Sequence, residues 1–391
     1  MNGAAGGAAL STLGLISQMR ERGIRSSVVC DSAGTREERQ ALVDAVDGEA
    51  VFTPLYWWNP KIRSKTWKRP ALEARQLLRT GFRMGALFEI VRAARQWNAE
   101  LIHTNTILTP EGGRAARLMS LGHVWHLREM LGPDQPFQLP LSGHALGAYL
   151  TSHASLVVAN SHASAAALED VLPAERLQII PNGIALGTFE AIDRRPSGRV
   201  VMGMVANLTS RWKKHLLFAE AARRAPGPEY RLYGHAPAEG TDPYVDEVRS
   251  ACSAAGVKVM GFVEVKQVMS DLDVLVHTAD GESFGRTVVE AMAAGLPVVG
   301  VAGGGVGETV IHEKTGLLAE VDSAEQLARH LTRIAADPAL RQRLGQAGRQ
   351  RARSEYSIDA CADRIASAYR LARATPVSSG ATILSLLGVL P

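Results

Sequence analysis

The chain has 391 residues, which is more than one ordinary hydrophobic core requires, so two domains are expected. Apolar residues make up 46% and charged residues 21%, which excludes a disordered or fibrous protein, and the net charge of +4 is too small to indicate nucleic acid as a partner. The three cysteines (Cys30, Cys252 and Cys361) are odd in number and far apart, which argues against a disulfide framework or a metal site and favours a reducing cytoplasm.

The first half of the chain alternates between helical and strand patterns. The apolar N-terminal segment lacks a basic start and a processing site, so we expect neither a signal peptide nor a membrane span. A helical pattern covers 9–23, and another covers 71–98 with breaks around Gly81 and Gly85. Strands are predicted at IRSSVVC, AELIHTNT, HVWHLREM, SLVVANS and LQIIPNGI, with a helix from Ser161 to about Val171.

A polar segment, IDRRPSGR at 192–199, has no hydrophobic period and is the predicted linker. After it, strands are predicted at VVMGMVANL, YRLYGH, VKVMGFV, DVLVHTA and LPVVGVA, with helices from about Lys214, Val245 and Phe284 and further helices to about Arg373. This alternation on both sides of the linker is typical of parallel sheets covered on both faces. The predicted fold class is therefore α/β, with two doubly wound Rossmann-like domains.

One phrase, ESFGRTVVE at 282–290, carries two glutamates in a loop where such folds bind ligands, beyond the carboxyl end of a strand. A helix that starts near Phe284 offers unpaired amides and a positive dipole end to an anion, and Gly285 lets the backbone approach a ligand closely. Along a helix axis, Glu282 and Glu290 would lie about 12 Å apart, roughly the span from the sugar to the ribose of a nucleotide-sugar. Chance spacing on a solvated helix face is the alternative explanation.

Upstream of this phrase, the segment LTSRWKKH carries the cations Arg211, Lys213 and Lys214. They come directly after a predicted strand, at the start of the helix predicted from about Lys214. Such cations would neutralise a diphosphate and stabilise a departing nucleoside diphosphate, although solvated side chains are an equally simple interpretation. His277, inside DVLVHTA, is predicted to be a hydrogen-bonded core histidine rather than a ligand.

Several motifs occur in the order and spacing of one known family. They are IIPNGI, GMVANLTSRWKKH, GFVEV, DVLVHTADGESFGRTVVEAMAAGLPVV, GGGVGE and TGLL. On these motifs the chain resembles the family-four retaining glycosyltransferases (glycosyl transferases group 1), densely over about 155–372 and more sparsely before. The resemblance implies the GT-B architecture, in which two Rossmann-like domains face each other across an interdomain cleft.

This architecture implies four segments. Residues 1–190 are predicted to form an N-terminal acceptor-binding domain, and residues 191–356 a C-terminal nucleotide-sugar-binding domain. Residues 357–374 are predicted to form a helix that crosses back to the first domain, and 375–391 a tail. The family has a strand before the segment that matches NGAAGG, which begins at residue 2 of this chain. We therefore expect either that this sequence starts after that strand or that the first domain lacks it.

The resemblance also implies an activity. The chain is expected to move a sugar from a nucleoside diphosphate sugar to an acceptor with retention of the anomeric configuration, without a catalytic metal or another cofactor. The expected acceptor is a saccharide or a lipid-linked molecule of cell-envelope polysaccharide or glycolipid synthesis. A catalytically impaired nucleotide-sugar-binding protein and a nucleotide-sugar epimerase of the same architecture are the alternatives.

Position by position, the resemblance implies that Glu282 faces the hydroxyls of the donor sugar, that Glu290 holds the ribose and that Lys213 binds the diphosphate. It also implies that backbone amides near the start of the helix contact the phosphates, and that GFV contacts the nucleobase mostly through its backbone. The further predicted donor-binding residues are Gly6, Gly7, Asn207, Phe262, Val263, Ser283, Phe284, Gly285, Arg286 and Thr287.

The chain departs from the family's pattern at several positions. Asn207 stands where the family usually has arginine, and Lys214 where it has glycine, so Arg211 is predicted to replace the missing charge as a catalytic residue. The family often has a histidine after the fourth strand; Arg128 lies near that position and His126, the predicted catalytic alternative, lies two residues earlier. The acceptor-side predictions are His103, Arg128 and Glu129.

Residues 56–83 combine tryptophans with eight lysines and arginines against one acid, Glu73. Such a mixture suits an anionic membrane surface, where cations meet lipid charge and indole rings lie at the interface. The predicted location is therefore the cytoplasm, with peripheral attachment to the inner face of the membrane as one hypothesis. A loop with a few buried aromatic side chains is the alternative.

Overall fold

A computed structural model describes residues 7–33, 35–46, 48–55, 84–132, 135, 139–192 and 198–378, with only the backbone for 7–10 and 38. The chain divides into two compact units. The first unit is Met1–Pro181 with Asp359–Pro391, and the second unit is Asn182–Ile358. The boundary that we place at residue 191 adjoins 193–197, which lie outside the described residues, and it stays a prediction.

The first unit contains two parallel sheets. Strand β1 (Val28–Asp31) pairs with β2 (Ala50–Thr53), and β3 (Leu101–Thr104), β4 (Gly122–Leu127), β5 (Leu156–Ala159) and β6 (Leu177–Ile179) pair in that order. The helices are α1 (Gly7–Glu21), α2 (Arg36–Ala45), α3 (84–96), α4 (Glu111–Met119), α5 (Gly143–His153) and α6 (His162–Glu169). The described residues of α3 are helical through Gly85, whereas the predicted helical residues 71–83 lie outside the described ranges.

The second unit is built on one six-stranded parallel sheet. In chain order its strands are β7 (Val201–Val205), β8 (Glu229–Tyr233), β9 (Val257–Gly261), β10 (Val274–His277), β11 (Val298–Val301) and β12 (Gly316–Ala319), and their spatial order is β12-β11-β10-β7-β8-β9. Its helices are α7 (Gly187–Glu190), α8 (His215–Arg224), α9 (Pro243–Ala254), α10 (Val265–Asp271), α11 (Arg286–Ala293), α12 (Val306–Thr309), α13 (Ala324–Ala336) and α14 (Pro338–Glu355). The central strands β10 and β11 are fully buried and rich in valine, as expected of a parallel sheet with both faces covered.

Helix α15 (Ile358–Ala374) adds to the core of the first unit. One face of the four-stranded sheet, including Val124, packs with Met19 of α1 and Ile365 of α15. The opposite face, including Trp125, packs with Leu150 and other residues of α5 and α6. Both faces of this sheet are therefore covered, which is the layered arrangement that the alternating sequence pattern predicts.

Four neighbouring strands of the second unit, β12, β11, β10 and β7, end at the same edge of the sheet because they are parallel. The loops that follow them cover 206–214, 278–285, 302–305 and 320–323. We call these four loops the charged edge, since they carry lysine, aspartate and glutamate side chains.

Candidate functional site

Hydrogen bonds hold the loops of the charged edge together. The hydroxyl of Thr278, directly after β10, donates to the carbonyl oxygen of Lys213 at 2.8 Å. The amide of Gly305, after β11, donates to the carbonyl oxygen of Glu282 at 2.8 Å. The end of β10 therefore fixes the lysine loop, and the loop after β11 fixes the glutamate loop.

Lys213 and Glu282 form an ion pair at this edge. Both side chains are 17% exposed, and the ammonium of Lys213 also lies 4.0 Å from the centroid of the Trp212 ring. Burial opposes ionisation of Glu282, but the charge of Lys213 and the nearby His277 outweigh it, so the pKa of the carboxyl lies well below its usual range. The structure thus brings together two of the predicted site residues as a charged pair at pH 7.

His277 lies beside this pair. Its side chain is buried, and its Nε2 atom is 3.7 Å from Oε2 of Glu282, longer than a hydrogen bond. Neither ring nitrogen has a hydrogen-bond partner among the described residues, so the prediction of a hydrogen-bonded core histidine is wrong in that respect. Burial lowers the pKa of His277, which leaves the ring neutral at pH 7.

Glu290 has a cation of its own. Arg286 Nε donates to Glu290 Oε1 at 2.7 Å, across one turn of α11. The side chain of Glu290 is only 3% exposed, and this burial raises the pKa of its carboxyl to about 7, although Arg286 acts in the opposite direction. The sequence analysis makes no prediction for the side chain of Arg286, so this pairing is a finding of the structure.

The helix after the glutamate loop begins at Arg286, two residues later than predicted, with Gly285 before it at φ +83°. Only Glu290 of the two glutamates is helical, so the predicted separation of about 12 Å, which assumes helical rise over the whole segment, does not apply. The positive φ explains the glycine, since a side chain is strained in that conformation.

The glycine run 303–305 packs tightly against the glutamate loop. A Cβ atom on Gly304 would lie 2.3 Å from the carbonyl oxygen of Glu282, and one on Gly305 would lie 2.2 Å from that of Ser283. Phe284 is buried in the core with its ring edge against Tyr356, and its carbonyl accepts a hydrogen bond from Thr309 at 3.1 Å. The glutamate loop is thus held by backbone contact on one side and by an aromatic anchor on the other.

Lys214 has a left-handed backbone, with φ 55° and ψ 50°, which accounts for the glycine that the family usually has at this position. Its ammonium lies 2.5 Å from Asp280 and 2.6 Å from Asp322. Burial opposes the charge of Lys214, but its contacts with the two carboxylates outweigh burial and raise its pKa. Lys214 therefore links the loops after β7, β10 and β12, and both aspartates escaped the sequence analysis.

Arg211 and Asn207, two further predicted residues of the second unit, contact side chains other than those of Lys213 and Glu282. The guanidinium of Arg211 stacks 4.9 Å from the centroid of the Tyr244 ring, and Asn207 accepts hydrogen bonds from Thr209 within its own loop. Phe262 follows the outer strand β9 and is 53% exposed. The remaining predictions, Val263, Ser283 and Thr287, are half-buried.

The first unit has a cluster of polar rings near the ends of β3 and β4, which we call the neutral cluster: the buried His126 and the half-buried His103 and Tyr369. Nδ1 of His103 shares a 2.6 Å hydrogen bond with the hydroxyl of Tyr369, and the two histidine rings are 5.3 Å apart. Burial, reinforced by the charge of Arg128, lowers the pKa of His103 to about 3 and that of His126 well below its ordinary value. Both rings are therefore neutral at pH 7, and Tyr369 was missed because it comes from a helix distant in sequence.

Arg128 and Glu129 follow β4 and are anchored by the loop after β3. Nε of Arg128 donates to Oδ1 of Asn105 at 2.7 Å. Glu129 accepts hydrogen bonds from the amide of Ile107 at 3.2 Å and from the hydroxyl of Thr106. Burial nevertheless raises the pKa of Glu129.

Several predicted residues lie outside the part of the chain that the structure describes. Gly6 and residues 56–83 lie outside the described residues, as do 379–391 of the predicted tail, and Gly7 is the first residue of α1. Within the described ranges, no helix is both long and apolar enough to cross a bilayer.

Two family models match adjoining parts of the chain. Glycosyltransferase Family 4 matches residues 5–187, and Glycosyl transferases group 1 matches residues 188–351. D-inositol 3-phosphate glycosyltransferase of Arthrobacter sp. is 29% identical over 50% of this chain and 50% of its own length. The protein with the same description from Segniliparus rotundus is 25% identical over 74% of this chain and 70% of its own length.

The solved structure of Anabaena Alr3699/HepE in complex with UDP and glucose is similar with a TM-score of 0.73. The two chains are 24% identical, and the match covers 95% of this chain and 97% of that one. This likeness confirms the predicted fold class, a GT-B protein with two Rossmann-like α/β domains.

Proposed function

Since the chain belongs to the family-four glycosyltransferases (glycosyl transferases group 1), we propose that it moves a sugar from a nucleoside diphosphate sugar to an acceptor with retention of the anomeric configuration. In this proposal the second unit binds the donor and the first unit binds the acceptor. UDP-glucose is the first donor to test, because the similar HepE structure holds UDP and glucose.

The observation that carries the proposal is the charged edge, where Lys213 and Glu282 are paired next to the start of α11. A diphosphate there would receive hydrogen bonds from the ammonium of Lys213 and from backbone amides at the helix start. Glu282 would then accept hydrogen bonds from the sugar hydroxyls, and Glu290 from the ribose hydroxyls. Glu282 lies in the loop before α11, and Glu290 lies in α11 itself.

In the proposed reaction the bond between the sugar's anomeric carbon and the phosphate oxygen breaks, and a bond to the acceptor oxygen forms on the same face. The acceptor's proton passes to the departing phosphate, so no protein nucleophile is required. Lys213 and the amides before α11 stabilise the charge that develops on the leaving diphosphate. We propose that this makes a metal unnecessary; donor turnover should then be the same in the presence of a strong chelator.

The proposed acceptor is a saccharide or a lipid-linked molecule of cell-envelope polysaccharide or glycolipid synthesis, with a peripheral location at the inner face of the membrane. The basic and tryptophan-rich segment 56–83 supports this proposal. Flotation with anionic and with neutral liposomes tests it: a protein that binds anionic liposomes loses that binding when the basic residues of the segment are replaced by serine. Equal flotation with both lipids would contradict the membrane proposal.

A screen of UDP-, GDP-, ADP- and TDP-sugars by thermal shift tests the donor, because a ligand that binds only the folded state raises the melting temperature. Incubation with the selected donor, followed by NMR of the products, then distinguishes the alternatives. A new glycoside with the donor's anomeric configuration supports the transferase, and an isomerised nucleotide-sugar supports an epimerase. Donor binding without any product would indicate a binding protein.

A further inference from the structure

His277 is a polar ring that the proposed reaction does not use. It is 4% exposed and directly follows the fully buried strand residues Val274, Leu275 and Val276. Both ring nitrogens lack hydrogen-bond partners among the described residues, although buried polar groups nearly always have one. A buried donor without a partner costs free energy in this state, and a state of the molecule that supplies a partner recovers that free energy.

Glu282 can supply that partner, since its Oε2 is 3.7 Å from Nε2 of His277. In the free protein this oxygen is already paired with Lys213. The backbone of Lys213 is fixed by Thr278, the neighbour of His277, so the lysine's flexible side chain is the part that can move. Lys213, Glu282 and His277 thus form a triad: the carboxylate of Glu282 is paired with Lys213, and the ring of His277 lies beside it as a second potential donor.

The proposed function places a second demand on Lys213, since this inference rests on a donor diphosphate binding at the charged edge. A diphosphate carries more negative charge than one carboxylate and draws the ammonium towards it. Glu282 would then be a largely buried carboxylate whose cation is shared or lost, which is unfavourable without a replacement hydrogen bond.

We propose that His277 is a positioning residue. It donates a hydrogen bond to Oε2 of Glu282 when the bound donor attracts the ammonium of Lys213 towards its diphosphate. The movement required is small, from 3.7 Å to a hydrogen-bond length of about 2.9 Å. The neutral ring then donates one hydrogen bond through Nε2 and transfers no proton. Oε1 of Glu282 stays available to the sugar hydroxyls, and the carboxylate keeps its orientation throughout the exchange.

Donor affinity distinguishes a positioning role from simple packing. We compare wild-type protein with His277→Gln, which retains an N–H donor, and with His277→Met, which fills similar space without one. UDP-glucose should bind His277→Met about tenfold more weakly than wild type, because a hydrogen bond to a charged group is lost, while His277→Gln recovers most of the affinity. Equal affinity of the Met variant and the wild type would overturn the proposal.

A double-mutant cycle tests the exchange without any donor. In Lys213→Met the cation of Glu282 is absent, so His277 should become its partner; there the further change His277→Met should lower the melting temperature by about 2–4 °C. In the wild-type background the same change should lower it much less, because no hydrogen bond is lost. An equal effect in both backgrounds would overturn the proposal. If wild-type protein binds no UDP-glucose, that donor assignment fails, and the cycle alone decides the role of His277.

Discussion

The charged edge of the second unit and the neutral cluster of the first unit both lie near the carboxyl ends of parallel strands. Titratable side chains are ionised at the charged edge and uncharged in the neutral cluster. At the charged edge the largely buried carboxylate of Glu282 is paired with Lys213 and stays ionised at pH 7. In the neutral cluster the described residues place no carboxylate against His103 or His126, and their pKa values are lowered far enough to keep both rings uncharged at pH 7.

The difference shows that desolvation decides whether a side chain is ionised only where no strong partner of opposite charge is present. Lys213 keeps Glu282 ionised in spite of desolvation, whereas desolvation dominates at His126. We therefore expect donor binding to depend strongly on individual charges in the second unit. Changes in the neutral cluster should instead affect stability and leave donor affinity as it is.

Removing the central cation should give the largest effect. Lys213→Ala deletes the charge proposed to stabilise the leaving diphosphate and should reduce donor turnover by about 10²-fold or more. Steady-state rates of UDP-glucose consumption, or of the donor that the screen selects, measure this loss. Lys266→Ala, an exposed lysine on α10, is the matched control and should keep wild-type turnover. Unchanged turnover in Lys213→Ala would remove this lysine from the mechanism.

A substitution in the neutral cluster tests whether that cluster affects stability and not donor affinity. Tyr369→Phe removes the hydroxyl that pairs with Nδ1 of the half-buried His103, which should cost about 1 kcal/mol of stability. The urea midpoint measured by circular dichroism should fall accordingly, while UDP-glucose affinity stays within about twofold of wild type. A matching loss of donor affinity would break the proposed separation between the two regions.

The buried carboxyl of Glu290 should make donor binding depend on pH. Because its pKa is raised to about 7, it is mostly protonated at pH 6 and mostly ionised at pH 8. The ionised form accepts hydrogen bonds from both ribose hydroxyls, so affinity for UDP-glucose should rise by about tenfold over that interval. Stability without donor should change in the opposite sense: the raised pKa favours the folded state below the ordinary value of 4.5, and that contribution is lost as the pH rises through about 7.

Isothermal titration with UDP-glucose suits this measurement, since its phosphates carry no proton that titrates between pH 6 and 8. Glu290→Gln should show a flat pH profile. A wild-type profile that is equally flat would contradict the assignment of Glu290 to the ribose.

The smallest expected effect concerns the strained lysine. Lys214→Gly relieves the left-handed backbone but loses the ion pairs with Asp280 and Asp322, so its urea midpoint should stay close to wild type. Lys214→Ala loses the same ion pairs and keeps the strain, so it should be less stable than Lys214→Gly by about 1 kcal/mol. The reverse order of the two variants would show that backbone strain does not decide this position.

Much of the second unit could be predicted because its signals are local. Valine-rich strands such as β10 alternate with helices, and the structure agrees with the predicted order of strand, loop with Glu282 and helix with Glu290. Lys213 lies in the loop that follows β7 of the same sheet, which agrees with the predicted position of the cations after a strand. Parallel topology then brings these loops together without further information.

Contacts between loops could not be predicted. The left-handed backbone of Lys214, its bonds to Asp280 and Asp322, and the position of His277 beside Glu282 depend on how separate loops pack. The same limit applies to Tyr369, which reaches His103 from a helix 266 residues later in the chain. The helix start at Arg286 rather than Phe284 follows from the conformation of one glycine, which the sequence pattern leaves open by two residues.

The most direct measurement is a crystal structure of the protein with UDP-glucose. We expect the diphosphate within hydrogen-bond distance of Nζ of Lys213 and of the amides before α11, with Glu282 at the sugar and Glu290 at the ribose. A nucleotide bound away from the charged edge, with Lys213 still paired only to Glu282, would contradict the account.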